Sequence, residues 1–225
     1  EIKSDHEIFQ TCTDTIIRQV SDIGRMVDEF SSFARMPQPR MRNEDIAEVC
    51  REAAFLERNR NTNLELQIDL PETPIEITCD RRQIAQALTN VLKNASESIE
   101  ARLTDKTLST KPGCIALRLF QESADSLPKT SSSNTTIIVV EDNGIGLPVD
   151  KERLTEPYVS ARDKGTGLGL AIVRKIMEDH QGKFILDDRP EGGARVSMIF
   201  ENTLSRTNEL HSEQSIRSRS NVGNA

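Results

Sequence analysis

Five of the chain's eleven glycines fall in one segment, residues 143–169, and that segment separates two stretches of opposite character. Before it lies Ile137-Ile138-Val139-Val140-Glu141, a β-branched run that reads as a buried strand. After it, residues 168–180 read as a helix, with Gly182 expected to end it. A strand that opens into a long glycine-rich loop and closes on a helix start calls for a fold of mixed α and β type. It also supplies backbone without Cβ atoms, able to approach another group closely.

The remaining elements extend this pattern. Residues 45–58 read as a short helix, and residues 64–70 alternate apolar and polar like a half-buried strand. A turn is expected at residues 71–74. Residues 80–102 read as a long helix carrying Ile84, Leu88, Val91, Leu92, Ala95 and Ile99 on one side. Residues 114–120 read as a strand, and the Ser/Thr-rich residues 122–136 as the loop of a hairpin. Residues 184–186 and 194–200 form a last strand pair around a turn at residues 190–193. The expected fold is a two-layer α/β sandwich, its sheet mixed but largely antiparallel and covered by helices on one face.

The first 36 residues obey a different rule. Phe9, Ile16, Ile23 and Phe30 recur every seven residues, with Thr13, Val20, Val27 and Ala34 in phase between them. That spacing is the seam of a coiled coil or helix bundle. The alternative is an amphipathic helix packed on its own domain. Met36-Pro37-Gln38-Pro39 stops the helix and is expected to isolate it from the rest of the chain. From residue 205 the chain is polar and rich in Ser and Asn, and disorder is expected there.

Composition narrows the function classes. Net charge is −7 and no basic run occurs, which argues against a general nucleic-acid binder. Cys12, Cys50, Cys79 and Cys114 are scattered, without a C-x-x-C pair; that is the pattern of reduced thiols in a cytosolic protein, not of a disulfide frame or zinc site. No apolar run is long enough to span a membrane, and no signal peptide opens the chain.

Three stretches carry candidate chemistry. In Asn90-Val91-Leu92-Lys93-Asn94-Ala95 the two asparagines, four apart, share a helix face, with Lys93 beside them. An amide oxygen suits Mg²⁺ and an ammonium suits phosphate, although two asparagines on a helix are also ordinary surface residues. In Glu141-Asp142-Asn143-Gly144-Ile145-Gly146 a carboxylate ends a strand, where it could accept a hydrogen bond from an exocyclic amine; the bland alternative is a plain Asp-Asn-Gly turn. In Gly165-Thr166-Gly167-Leu168-Gly169 glycines open a helix, whose free N–H groups and dipole attract phosphate. No strand precedes this last stretch and no Gly-Lys-Ser/Thr ends it, so neither a dinucleotide fold nor a P-loop fits.

Together and in this order, the stretches resemble the catalytic domain of sensor histidine kinases, within the wider ATP-binding superfamily that includes DNA gyrase, the Hsp90 chaperones and MutL. Residues 90–95 resemble the N box, residues 142–146 the first glycine box, Glu156-Pro157-Tyr158 the F box with Tyr for Phe, and residues 165–169 the second glycine box. Residues 14–37 and the boxes also resemble nitrogen-regulation sensor kinases of the NtrY type. The resemblance implies an ATP-binding catalytic domain over residues 41–204, with ATP and Mg²⁺ as cofactors. Asn94 would ligate Mg²⁺, and Asn90 and Lys93 would face the phosphates. Asp142 would bind the adenine amine, with Gly144 and Gly146 shaping its pocket. Tyr158 would belong to the mobile lid, and Lys164, Gly165, Thr166, Gly167, Leu168 and Gly169 would hold the phosphates, mainly through backbone.

One position separates kinase from hydrolase. The hydrolytic relatives resemble one another in a Glu four residues before the metal-binding Asn, serving as base for water; this chain has Asn90 there. An amide takes no proton at neutral pH, so the attacking group is expected to be a histidine on a neighbouring helix. A hydrolytic ATPase or a non-catalytic nucleotide-binding module are the alternatives. The acceptor motif, His-Glu and then Asn/Thr-Pro, is not matched: Phe9-Gln10-Thr11-Cys12 comes after His6-Glu7-Ile8. Residues 1–36 therefore read as the second helix of the dimerisation hairpin, the first being absent, and this chain alone is not expected to phosphorylate itself. His180 is expected to be structural and His211 idle. The implied partners are a second copy, through residues 7–35, and a response regulator. The implied location is cytoplasmic, with an inner-membrane anchor elsewhere in the protein.

Overall fold

The computed structural model describes residues 2–104, 111–123, 133–159 and 166–203. Helix α1 (Ile2–Ala34) leads to β1 (Arg42–Asp45), α2 (Ile46–Arg60), β2 (Glu65–Asp69), β3 (Glu76–Cys79) and α3 (Arg81–Thr104). Then come β4 (Cys114–Ser123), β5 (Ser133–Asp142), a short 3-10 helix (Lys151–Thr155), α4 (Gly169–Asp179), β6 (Lys183–Asp188) and β7 (Ala194–Thr203). The main sheet has the order β2-β4-β5-β7-β6. Only β2 and β4 run parallel within it, so the sheet is mixed and largely antiparallel, as expected.

Register decides which residues face inward. Leu119, Ile138 and Met198 align across β4, β5 and β7, as do Leu117, Val140 and Val196 one step along. The first three and Leu117 and Val140 are buried. They meet the α3 stripe of Ile84, Leu88, Val91, Leu92, Ala95 and Ile99, all at most 4% exposed. Glu141 faces the other way and pairs with Arg118 and, at 2.6 Å, with Arg195 Nε.

Two aspartates start the helices that frame the core. Asp45 Oδ1 accepts from Ala47 N–H at 3.0 Å, capping α2, and from Ile75 N–H at 3.1 Å. Asp80 Oδ1 accepts from Arg82 and Gln83 N–H at 3.0 and 3.3 Å, capping α3. Burial pushes the Asp80 pKa up, but the N–H groups of Arg40, Gln83 and Arg82 and the Arg82 guanidinium outweigh it and hold the carboxyl below its ordinary range.

Several expectations need correction. β1 and β3 form a separate antiparallel pair that the sequence reading missed. Strands β4 and β5 extend into the stretch read as loop, because each continues the ladder of the other out to Ser123↔Asn134. The core of that loop and the tail from residue 205 lie outside the described residues. The residue that turns the chain at the end of α4 is Gln181, at φ 55°, not Gly182. Gly182 N–H donates to Met177 O at 2.8 Å, and a Cβ on Gly182 would sit 2.5 Å from Met177 Cε. The proline run does not isolate α1 either: Phe33 and Met36 pack on the domain core, and Gln83 Nε2 donates to Pro37 O at 2.9 Å.

Along α1 the heptad positions stay exposed. Phe9, Ile16, Val20, Ile23 and Val27 are each more than half accessible. The sequence period thus produces an apolar stripe that this chain alone leaves open. No helix among the described residues is long and apolar enough to cross a membrane.

Candidate functional site

The site is assembled where α3, the end of β5 and the start of α4 converge. Asn90 and Asn94 stand one turn apart on α3. A Cβ on Gly169, the first residue of α4, would lie 3.8 Å from Asn94 Nδ2 and 3.9 Å from its Oδ1. The Asn94 amide therefore faces the N-terminus of α4, where unpaired N–H groups and the helix dipole favour an anion. Asn90 Nδ2 is buried and has no hydrogen-bond partner among the described residues. A buried donor without a partner is costly, and an oxyanion ligand would satisfy it. Lys93 stands between the two asparagines, half exposed, with its Nζ 4.0 Å from Glu97.

Asp142 closes the other side. Alternation along β5 turns it to the helix face and sends Glu141 to the opposite one, so only Asp142 joins the site. It is 4% exposed, and its Oδ1 accepts from Gly144 N–H at 2.8 Å. Gly144 presses on α3: a Cβ there would lie 2.2 Å from Ser98 Oγ and 2.6 Å from the Ser98 carbonyl carbon. Ile145 N–H is shared between Ser98 Oγ at 3.2 Å and Ser98 O at 3.3 Å. Gly146 takes φ +83°, a conformation that favours glycine.

Tyr158 and Val159 meet the second glycine stretch at Gly167. Gly167 has φ +70°, and a Cβ on it would lie 2.6 Å from the Tyr158 carbonyl carbon. Tyr158 itself has φ 66°, and its ring lies 6.2 Å from that of Phe30 on α1. Leu168 is fully buried, and its N–H donates to the Thr166 hydroxyl oxygen at 3.4 Å. Lys164 and Gly165 lie outside the described residues.

The structure thus brings Asn94 and Gly169 together, with Asn90 and Lys93 on the same helix, and ties Gly144 and Ile145, just beyond Asp142, to that helix through Ser98. The sequence reading missed Ser98 and Arg102. Arg102 Nη2 donates to Lys111 O at 2.9 Å and lies 3.5 Å from Asn143 Oδ1, while Asn143 Oδ1 also accepts from Cys114 N–H at 2.9 Å. The only available signal was helical phase, since Ser98 and Arg102 continue the Asn90–Asn94 row at intervals of four. His180 is structural by its contacts. Its Nδ1–H donates to Ile176 O at 2.7 Å and its Nε2 accepts from Asp80 N–H at 2.9 Å, so the ring bridges α4 to the cap of α3. A groove of about 580 Å³ between Thr155, Arg174 and Phe184 contains none of the site residues.

Azorhizobium caulinodans nitrogen regulation protein NtrY is 47% identical over 202 residues, which cover 89% of this chain and 24% of that protein. An NtrY-like protein of Rickettsia bellii is 34% identical over 89% of this chain and 30% of its own length. The chain therefore spans 24% to 30% of the length of these two relatives. The solved catalytic domain of histidine kinase ThkA superposes with a TM-score of 0.56 at 26% identity, over 72% of this chain and 95% of that domain. Residues 79–204, more than half of the chain, match a single family model, and the chain belongs to that family, the histidine kinase-, DNA gyrase B-, and HSP90-like ATPases.

Proposed function

We propose that this chain is the ATP-binding catalytic part of a two-component sensor histidine kinase of the nitrogen-regulation type. The observation that carries the reading is the approach of Gly169 to the Asn94 amide, which sets a hard oxygen ligand against a helix N-terminus. The partnerless Asn90 Nδ2 and the left-handed glycines at 146 and 167 fit a phosphate-bearing ligand on the same ground. Asn94 would hold Mg²⁺, with Asn90 and Lys93 toward the phosphates, the backbone of Thr166, Gly167, Leu168 and Gly169 beside them, and Lys164 and Gly165 completing the loop. Asp142 would accept from the adenine amine, in a pocket shaped by Gly144 and Gly146. Bound Mg²⁺ supplies neutralisation of phosphate charge.

The residues of the site hold and orient; none of them is a base for water. Asn90 occupies the position where a general base would stand, and an amide takes no proton. The phosphoryl acceptor is then a histidine brought from outside the cleft, by proximity and orientation. His180 is not that group, because both ring nitrogens are engaged within the fold. The acceptor helix lies outside this sequence and completes a dimeric bundle on the apolar stripe of α1. The phosphoryl group passes on to an aspartate of a response regulator. The catalytic part works in the cytoplasm, with the inner-membrane anchor elsewhere in the protein.

Mg²⁺-ATP binding and free phosphate release by this chain test the reading. The expected result is binding without steady turnover, with Asp142→Asn weakening binding roughly ten- to hundredfold, the loss of a charge-assisted bond of about 1.5–3 kcal/mol. Steady phosphate release that Asp142→Asn abolishes would instead assign a hydrolase.

A further inference from the structure

Asp142 is held from a direction that none of the three glycine and asparagine stretches includes. The turn between β6 and β7 folds back over the end of β5. Arg189 Nη1 donates to the Asp142 carbonyl oxygen at 2.9 Å. Gly193, at φ +93°, comes so close that a Cβ on it would lie 2.0 Å from that same oxygen and 2.8 Å from Asn143 Cα. The turn is rigid by its own bonds: Arg189 N–H donates to Gly193 O at 3.1 Å, and Gly192 N–H to Arg189 O at 3.0 Å. Asp188 reaches the far end of the loop, where Leu147 N–H approaches its Oδ1 at 3.4 Å and Lys151 Nζ its Oδ2 at 3.5 Å.

A carboxylate's direction is set by its Cα and by the donors its oxygens accept from. At Asp142 the second constraint is local, the Gly144 N–H. The first comes from the ladder with β4, where Asp142 pairs with Ile115 and Asn143 N–H donates to Cys114 O at 3.2 Å, and from the β6–β7 turn, which adds one charged donor on the peptide carbonyl. A guanidinium-to-carbonyl bond is stronger than a neutral one, and the Arg189 side chain is only 23% exposed. A hydrogen bond weakens steeply when its angle fails, so a loosened peptide costs the carboxylate its directional contact while leaving the cleft in place.

We propose that Arg189 is a positioning residue that sets base selectivity: by fixing the Asp142 peptide it aims the carboxylate at an exocyclic amine of the bound purine. The inference rests on the nucleotide-binding reading above. It concerns selectivity and not overall affinity, because Arg189 acts only through Asp142.

The test is calorimetric titration of the chain with Mg²⁺-ATP and with Mg²⁺-ITP, which carries a carbonyl in place of the amine. The unaltered chain is expected to prefer ATP. In Arg189→Ala the ATP affinity is expected to fall about tenfold, the worth of one charged hydrogen bond, while ITP stays within about twofold. Arg189→Lys keeps a charged donor without the fork and is expected to narrow the preference about threefold. Urea midpoints identify a variant that fails to fold; if Arg189→Ala fails, the Lys variant decides. An undiminished preference, or equal losses on both nucleotides, overturns the inference and leaves the nucleotide reading standing. Failure of the unaltered chain to bind ATP overturns both.

Discussion

Gly144→Ala tests how tightly the first glycine stretch is pressed on α3. The added methyl would lie 2.2 Å from Ser98 Oγ, 2.7 Å from Ser98 Cβ and 2.6 Å from the Ser98 carbonyl carbon. The first two contacts belong to a side chain and the third to helix backbone, which cannot turn aside. Overpacking of this kind costs about 1–3 kcal/mol. For a chain of this size that lowers Tm by about 2–4 °C per kcal/mol. Ser98→Gly removes the Oγ and Cβ contacts but not the backbone one, at its own cost of about 1 kcal/mol for a glycine inside a helix. The double variant Ser98→Gly/Gly144→Ala is therefore expected to be more stable than the sum of the singles by about 0.5–2 kcal/mol, yet less stable than the parent. Chemical denaturation of the four proteins measures this coupling. Additive losses would refute the reasoning, because they would mean that Gly144 is needed for its own backbone and not for its approach to Ser98.

Two other outcomes concern groups that the site does not use. His180→Ala strips the acceptor from Asp80 N–H and the donor from Ile176 O, and should cost about 1–3 kcal/mol in urea denaturation with little change in the ATP-to-ITP preference. Burial, aided by nearby carboxylates, pushes the Cys50 and Cys79 thiols up from 9.0 to about 12. The unfolded chain then loses these protons near pH 9 while the folded one keeps them, so stability is intact below pH 9 and falls as pH rises from about 9 to 12. A Cys50→Ala/Cys79→Ala variant should flatten that part of the stability–pH curve, and at pH 8 a thiol reagent should label exposed Cys12 well before either buried thiol.

Much of the fold was legible because it rests on period. The α3 stripe repeats with the turn of a helix and is buried as expected, and the seven-residue rows of α1 form a long helix whose apolar side stays open. The two asparagines and the glycines were legible as types, since glycine is needed where φ is positive, as at 146 and 167. The β1–β3 pair was not legible: Arg42-Asn43-Glu44-Asp45 has no apolar residue to alternate, and its partner strand lies over thirty residues away. Nor was the bond between Pro37 and Gln83, because a proline run reads as a break even where its carbonyl is an acceptor.

The sequence by itself determined the long helices, the strands of the main sheet over most of their length, and which face of α3 is core, because each arises from local periodicity and backbone sterics. Only the tertiary structure decided that Asn94 faces Gly169, that Ser98 limits Gly144, that Arg189 reaches the Asp142 carbonyl and that His180 bridges two helices. Those contacts join residues 46 to 100 positions apart, and their partners are chosen by sheet order and helix packing, which no local pattern encodes.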